Sequence, residues 1–338
     1  MADGGRPPRR KGSQDRQGGQ GRPPAGGRGT GRARPPAPPS TRGGSNRGAR
    51  GGRAGESEGS GGRRFGSGRG TRGGPPTGRA RSRSEEKGLG GEQVEGRQAV
   101  AELLAAGRRR VREVWLAEDL SPAPVIDEIV GLAEQKRTAV RWVPRGRIDA
   151  AARTEAPQGV LARAEPLAEV DFEDLCRSGP GGEPPFLLAL DGVTDPQNLG
   201  ALLRTAEAAG VTGVVLGRHR AVHVTPAVTK AAAGAVEHLP MAVVGGIPAA
   251  VARARELGLW TVGLVADGGE DLFSTSLGDG PVMAVLGAEG PGLSRLVRQR
   301  CDVLVSIPLR GRLASLNVAA AGAVSLFELA RQRGPARS

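Results

Sequence analysis

The first 85 of the 338 residues contain no leucine, isoleucine, valine or tryptophan. Phe65 is the only aromatic side chain among them, so this stretch has almost no apolar surface whose burial would offset the entropy cost of ordering the chain. It cannot build a hydrophobic core. We therefore predict that residues 1–86 form a disordered tail rich in arginine, glycine and proline.

The excess positive charge of the chain is confined to that tail. Up to Glu85 there are 20 Lys and Arg against 5 Asp and Glu, whereas the remaining residues carry 28 basic and 30 acidic side chains. Arginines set among glycine, proline and serine are typical of segments that neutralise nucleic-acid phosphates without reading bases. A solvated leader with no specific partner is an equal alternative. An anionic membrane is a poorer partner, because no apolar face accompanies the charge.

Cysteine and long apolar runs are also scarce. Cys176 and Cys301 are the only cysteines, and they form no cluster with the three histidines, so the sequence predicts neither a disulfide nor a metal site. The basic N-terminus is not followed by the apolar stretch of a secretory signal, and no window is apolar enough for a membrane span. We expect a soluble protein of the reducing cytoplasm with no membrane partner.

Hydrophobic periodicity begins at Leu89 and divides the rest of the chain into two α/β units. Residues 88–165 are predicted as a small domain with helices at 98–106 and 123–136 and strands at 111–117, 139–143 and 159–164. Residues 166–185 are acidic and then rich in glycine and proline, so we predict a linker there, with a short helix at 171–177.

Residues 186–334 are predicted as a second α/β domain, in which near-continuous apolar strands alternate with helices. This pattern is typical of a parallel sheet covered on both faces. Strands are predicted at 186–190, 211–216, 241–244, 260–265, 282–286 and 303–307, and helices at 199–209, 226–232, 248–257, 293–300 and 316–331. Gly210 follows its helix where a left-handed cap is expected.

The first polar loop of this domain lies in LDGVTDPQNLGALLR, residues 190–204. Either Asp195 or Asn198 is suited to cap the following helix, and Pro196 is ordinary near a helix start. Arg204 lies six residues after Asn198 among apolar neighbours. Such an arginine is either a surface residue with a packed stem or a group held for an anion, and the spacing leaves both interpretations open.

Two further loops follow later strands. In LGAEGPGL, residues 286–293, three glycines permit close backbone approach to a ligand, and Glu289 is alternatively a carboxylate at a helix start. In IPLRGRLASLNVAAAG, residues 307–322, Ser315 is a candidate helix N-cap. Asn317 is a poor helix former, which favours a role for its side chain. The small residues that follow suit close packing against another element or another subunit.

In this order and at strand ends, the three loops resemble motifs 1, 2 and 3 of the SpoU/TrmH branch of the SPOUT methyltransferases. The resemblance covers residues 186 to about 332. The unit before it is similar to the L30e-like RNA-binding domain of that family. Gln98 stands where the family commonly has histidine, and Pro157 stands in place of the histidine of a His-Gln-Gly-Val strand.

The resemblance implies a parallel-sheet SPOUT domain with a trefoil knot, a homodimer packed through the knot region, and S-adenosylmethionine as the cofactor. By residue match, the adenosine pocket would include Gly287, Ile307, Leu309 and Leu316.

The catalytic residues carried over by motif are Asn198, Arg204, Glu289, Ser315 and Asn317. A guanidinium is protonated under almost all conditions, so Arg204 is better suited to orienting the target phosphate and stabilising negative charge than to acting as a general base. The two asparagines would hold Arg204 and the ribose, Glu289 would orient this network, and Ser315 would help to position the substrate or its loop.

The implied reaction is methyl transfer to a ribose 2'-hydroxyl in RNA, with a guanosine of 23S rRNA as the expected target. A tRNA ribose methyltransferase is the nearest alternative, because the catalytic motifs do not distinguish targets. A ribosomal resistance enzyme that methylates an rRNA adenosine is a third. From another class, a catalytically silent RNA-binding or ribosome-assembly factor on the same fold remains open.

Overall fold

The computed structural model describes residues 88–179, 182–218, 223–277 and 279–334. The predicted tail of residues 1–86 lies outside these ranges. The described residues form two β-sheets with helices on their faces, which confirms the predicted α/β class. None of the described helices combines the length and apolar content needed to span a membrane.

The small domain, residues 88–165, is built on a four-stranded mixed sheet. Its elements are β1 (Gln93–Glu95), α1 (Arg97–Ala106), β2 (Val111–Ala117), α2 (Pro124–Gln135), β3 (Ala139–Val143), α3 (Arg145–Ala151) and β4 (Val160–Ala164). The strand order is β1-β4-β2-β3, in which only β2 and β3 run parallel. Strand β1 and helix α3 were not predicted from the sequence, because a three-residue strand shows no periodicity and α3 buries only Ile148.

The segment predicted as a linker is packed against the second sheet over part of its length. It contains α4 (Phe172–Leu175), where a short helix was predicted, and the Val170 amide donates to the carbonyl of Met241 at 2.9 Å. Leu175 and Cys176 are buried in the core of the second domain. Burial raises the pKa of the Cys176 thiol to about 11, so this thiol is protonated at neutral pH.

The large domain, residues 186–334, is built on a seven-stranded parallel sheet in the order β7-β6-β5-β10-β8-β11-β9. Its strands are β5 (Phe186–Asp191), β6 (Gly213–Gly217), β7 (Met241–Val244), β8 (Trp260–Leu264), β9 (Glu270–Asp271), β10 (Val282–Gly287) and β11 (Val303–Ser306). Its helices are α5 (Pro196–Ala208), α6 (Pro226–Ala231), α7 (Ile247–Glu256), α8 (Arg295–Arg300) and α9 (Val318–Gln332). Apart from the two-residue β9 and a single 3₁₀ turn at Ala235–Glu237, each was predicted to within a few residues.

The C-terminal helix α9 packs directly on α5 and β10. A Cβ at Gly322 would lie 2.3 Å from Leu202 Cδ2 and 2.8 Å from Leu286 Cδ2, so any larger residue would have to displace these buried side chains. The small-residue run predicted from sequence therefore serves a contact within the chain. Gly210 has a φ of 76°, which confirms the predicted left-handed end of the preceding helix.

A buried ion pair joins the two domains. Arg109 of the small domain donates from Nε and Nη2 to the two carboxylate oxygens of Glu237 at 2.9 and 2.6 Å, and the two side chains are 7% and 1% exposed. Arg109 Nη1 also donates to the carbonyls of Gly91 and Glu165, at the two points where the chain enters and leaves the small domain. The Arg109 guanidinium therefore links the large domain to the two segments where the chain enters and leaves the small domain.

Candidate functional site

The three polar loops predicted from sequence meet at one edge of the large sheet. Strands β5, β10, β8 and β11 lie side by side and run parallel, so their carboxyl ends share that edge. The segments that follow β5, β10 and β11 carry Asn198, Glu289 and Asn317 respectively. Ligands of open parallel α/β sheets bind at this edge, where loops from several strands converge.

Asn317 connects the three segments through its side-chain amide. Its Nδ2 donates to Asn198 Oδ1 at 3.0 Å and to Glu289 Oε1 at 2.7 Å. Its Oδ1 accepts from the backbone amides of Ala319 and Ala320 at 2.8 and 3.4 Å, which caps α9. Because the Glu289 carboxylate only accepts hydrogen bonds when ionised, the amide NH₂ must face it.

The helix cap corrects one expectation and confirms another. Ser315 was predicted as the N-cap of the terminal helix, but α9 begins at Val318 and Asn317 caps it. The two residues after Ser315 remain outside the helix, so the Ser315 hydroxyl is too far along the chain to reach the first free amides. The expected side-chain role of Asn317 is confirmed, although Asn317 precedes the first turn instead of lying within it.

A cavity of about 320 Å³ opens beside this hydrogen-bonded group. All four residues predicted to bind the cofactor line it, together with three of the predicted catalytic residues: Gly287, Ile307, Leu309, Leu316, Glu289, Ser315 and Asn317. The cavity is also lined from the end of β8 by Leu264, Val265 and Ala266, which were not predicted as site residues. Their signal was present, because β8 also ends in a loop with two glycines, Gly268 and Gly269.

The shape and chemistry of the cavity suit a nucleoside with a polar extension. Apolar side chains predominate in its lining, and Glu289, Ser315 and Asn317 supply polar groups. Leu309 and Leu316 are 36% and 43% exposed, so a bound ring would cover apolar surface that otherwise faces water.

Close backbone packing shapes one wall of this cavity. A Cβ at Gly287 would lie 2.1 Å from the carbonyl carbon of Gly292, so the loop after β10 folds back directly onto the strand end. Gly290 and Gly292 adopt φ values of 81° and 67°, which favour glycine. Close packing at Gly287 and positive φ at Gly290 and Gly292 therefore explain the three glycines of this loop. All three line the cavity, so the loop backbone faces it.

Asn198 and Arg204 lie outside the lining of the cavity. Asp195 caps α5 through the backbone amide of Asn198 at 2.8 Å, which leaves the Asn198 side chain free to meet Asn317. Arg204 is exposed on the same helix, two turns later. In the described parts of the chain, neither asparagine is hydrogen-bonded to Arg204, so the predicted grip on this guanidinium is not seen in this structure.

Neither cysteine offers a thiolate to the site. Burial raises the pKa of the Cys301 thiol to about 12, and that of Cys176 is raised by burial as well. Neither cysteine is among the residues that line the cavity, and burial favours the protonated thiol in both.

Two family models match this chain. SpoU rRNA Methylase family matches residues 185–327, and RNA 2'-O ribose methyltransferase substrate binding matches residues 93–170. The relatives include 23S rRNA (guanosine-2'-O-)-methyltransferase RlmB of Pseudomonas putida, 39% identical over 245 residues, which are 72% of this chain and 97% of that protein. RlmB of Pseudomonas aeruginosa is 40% identical over 247 residues, 72% of this chain and 98% of that protein.

Solved structures resemble the fold over a similar span. The SpoU methyltransferase AviRb of Streptomyces viridochromogenes, in complex with the cofactor AdoMet, has 27% identity and a TM-score of 0.60, covering 72% of this chain and 91% of AviRb. An AdoMet-bound rRNA methyltransferase of Sinorhizobium meliloti has 26% identity and a TM-score of 0.60, covering 72% and 88%. Since the relatives are matched over nearly their whole length and the matched domain contains the converging loops, the chain belongs to the SpoU rRNA methylase family.

Proposed function

We propose that this protein transfers a methyl group from S-adenosylmethionine to a ribose 2'-hydroxyl in RNA, with a guanosine of 23S rRNA as its target. The observation that carries the proposal is the junction made by Asn317, which ties Asn198 and Glu289 together beside the cavity. The rRNA guanosine follows from the relatives, which are named for that reaction.

The residues that line the cavity would hold the cofactor. Its adenosine would lie against the apolar side chains of Ile307, Leu309 and Leu316, with the backbone at Gly287 close to it. When bound, S-adenosylmethionine supplies a sulfonium methyl group that a nucleophile attacks in line. Ser315 lines the same cavity and would help to position the incoming ribose.

The remaining polar residues would orient and stabilise the substrate. Asn317 and Asn198 form a rigid amide pair, because Asn317 is held by Glu289 and by the helix start at the same time. Holding the ribose in a reactive geometry is worth several kcal/mol of the barrier, of order 7–11 kcal/mol in well-oriented systems. Arg204 would bind the adjacent phosphate and stabilise the negative charge left on the 2'-oxygen as the hydroxyl proton is released to water.

The direct test is methyl transfer from labelled S-adenosylmethionine to 23S rRNA and tRNA fragments by the full-length chain, with the product mapped by resistance of the methylated ribose to alkaline cleavage. The matched variant is Asn317→Asp, which keeps the oxygen that caps α9 but loses the amide that bonds Asn198 and Glu289. We expect about 10²-fold slower transfer, because small misplacements of reacting groups have effects of that size.

Thermal unfolding measures how far Asn317→Asp preserves the fold, because an aspartate keeps the helix cap but places a second carboxylate beside Glu289. Wild-type protein that binds the cofactor but methylates no RNA would refute the proposed activity. Methylation of tRNA alone would move the target from 23S rRNA to the alternative.

We also propose the finer features of the fold that the family implies, the trefoil knot and the L30e-like character of the small domain. The support for the knot is the path of the chain around β8. Strand β11 lies on one side of β8, whereas the following helix α9 packs on α5 and on β10, which lies on the other side. For the small domain, the support is its mixed sheet between α1 and α2 on one face and α3 on the other.

A homodimer packed through the C-terminal region is part of the same proposal. Phe327 and Val324 are 51% and 37% exposed on one side of α9, and Leu313 in the preceding loop is 81% exposed. We expect Phe327→Asp to shift the protein from twice to once the chain mass in sedimentation equilibrium, because a buried unpaired charge opposes association. As a control, the thermal midpoint of the Phe327→Asp protein shows whether the monomer is still folded. A mass that stays at twice the chain mass would contradict the proposed dimer.

A further inference from the structure

One face of the small-domain sheet concentrates arginines although the domain as a whole is neutral. Residues 88–165 contain 12 Lys and Arg and 12 Asp and Glu. Strand register puts Glu113 opposite Arg163 and Trp115 opposite Arg141, so these four side chains share one face. Arg147 of α3 lies over the same face, with its Cζ 4.9 Å from the Trp115 ring centroid. We call these five residues the arginine face.

The arginines of this face are held in place while their outer groups stay free. Arg163 Cζ lies 5.0 Å from the Trp115 ring centroid, a cation–π stack. Glu113 approaches the Nε atoms of Arg141 and Arg163 at 3.2 and 3.8 Å. In the described part of the chain no other carboxylate pairs with either guanidinium, and the two side chains are 60% and 48% exposed. Within the described ranges, their terminal amino groups make no ion pair with a carboxylate other than that of Glu113.

Such a surface matches the chemistry of an unpaired RNA strand. A guanidinium stacked on an indole offers its outer plane to a base and its edge to a phosphate. Because the ion pair and the stack already restrict the arginine rotamers, binding would cost less side-chain entropy than at mobile arginines. An acidic protein surface could pair with the arginine charges, but it has no bases to stack on the guanidinium planes, so an RNA strand matches this surface better.

A second observation on Trp115 indicates an absent partner. The indole is 7% exposed, and its Nε1 has no hydrogen-bond acceptor among the described residues. Folded proteins rarely leave a buried donor unsatisfied. An RNA oxygen that reached Nε1 would supply that acceptor.

The arginine face continues toward the proposed active site. It crosses β3, β2 and β4, and the next strand, β1, packs against α6 of the large domain. Gln93 of β1 lines a second cavity of about 290 Å³ together with Arg153 and Thr225, at the boundary between the domains. Helix α6 in turn packs on α5, which carries Asn198 and Arg204. An RNA strand on this face would thus cross the four strands of the sheet, a width of roughly 15 Å, in the direction of the large domain.

We propose that the arginine face is the RNA-docking surface of the small domain, and that it binds an unpaired strand adjoining the methylated nucleotide. The identity of that RNA rests on the proposed function, whereas the binding itself does not. The buried Arg109–Glu237 pair joins the domain that carries this surface to the large domain.

The test compares the full-length double variant R141Q/R163Q with Arg137→Gln and with wild type, using the same 23S rRNA fragment. Arg137 is an exposed arginine in the turn between α2 and β3, so its replacement controls for lost charge in the same domain. We expect the double variant to bind RNA at least about tenfold more weakly, with a salt slope lower by about one for each arginine. The KM for RNA should rise while kcat and cofactor affinity stay unchanged.

Tryptophan fluorescence provides a readout that a merely structural role would not change. Trp142 and Trp260 are 52% and 40% exposed, so replacing both with phenylalanine leaves Trp115 as the single reporter. We expect RNA to quench Trp115 emission in this background. An unchanged salt slope and KM in R141Q/R163Q, or RNA binding without any change at Trp115, would overturn the proposal. RNA binding that depends on both arginines without methylation by wild type would instead refute the proposed activity and support the docking surface.

Discussion

Replacing Arg204 with alanine is expected to lower kcat for RNA methylation by about 10²–10³-fold, the usual effect of removing one group that stabilises transition-state charge. The side chain is exposed on α5 and makes no hydrogen bond or ion pair with the described residues, so its guanidinium is available to an anion. The measurement is single-turnover transfer from labelled S-adenosylmethionine at saturating RNA.

The stability of the Arg204→Ala protein should stay within about 0.5 kcal/mol of wild type, because an exposed side chain without partners contributes little to folding. Arg204→Lys is the matched control: it keeps the charge but loses the planar fork, and should recover only part of the rate. Undiminished transfer by a folded Arg204→Ala protein would remove this residue from the mechanism.

The Glu237→Ala substitution is expected to destabilise the protein by about 3–5 kcal/mol, because it leaves the buried Arg109 guanidinium without its counter-charge. In a folded unit of this size each kcal/mol moves Tm by about 2–4 °C, so a fall of about 10 °C should be visible in calorimetry. The backbone carbonyls of Gly91 and Glu165 remain as acceptors for Arg109 but do not neutralise it.

The double variant R109M/E237L separates the cost of a broken pair from the value of the pair itself. Replacing both charges with apolar side chains of similar size should restore most of the stability. If the pair also sets the orientation of the two domains, the double variant should have a higher KM for RNA than wild type at normal cofactor affinity. A double variant with wild-type KM would show that the pair is not needed for domain orientation.

Most of the secondary structure could be predicted because it depends on local patterns. The strands of the large domain are continuous apolar runs, and β7 was predicted with its observed limits. Elements with little pattern were missed: β9 has two residues, and α3 buries one side chain. The start of α9 was predicted at residue 316 with Ser315 as a candidate N-cap, whereas the helix begins at Val318 with Asn317 as its cap. A serine and an asparagine two residues apart are both good caps, and only the course of the chain distinguishes them.

The loops that form the candidate site could be predicted from the sequence. The hydrogen bonds between residues of different loops could not. Gly287, Ile307, Leu309 and Leu316 were assigned by motif, and all four line the same cavity. The contribution of β8 was missed, since its loop belongs to none of the three motifs. Arg204 was expected to bind the asparagines, whereas the Asn198 side chain bonds Asn317.

The sequence alone determined which segments contain the candidate site residues, because helix starts, glycine turns and apolar strands depend on residues that are close together in the sequence. The tertiary structure alone decided that Asn317 bridges to Asn198, 119 residues away, and that Arg109 meets Glu237 across 128 residues. The physical reason is the strand order, which places β10 between β5 and β8 and brings distant loops to one edge. Local periodicity specifies that a strand forms, but not which strand lies beside it.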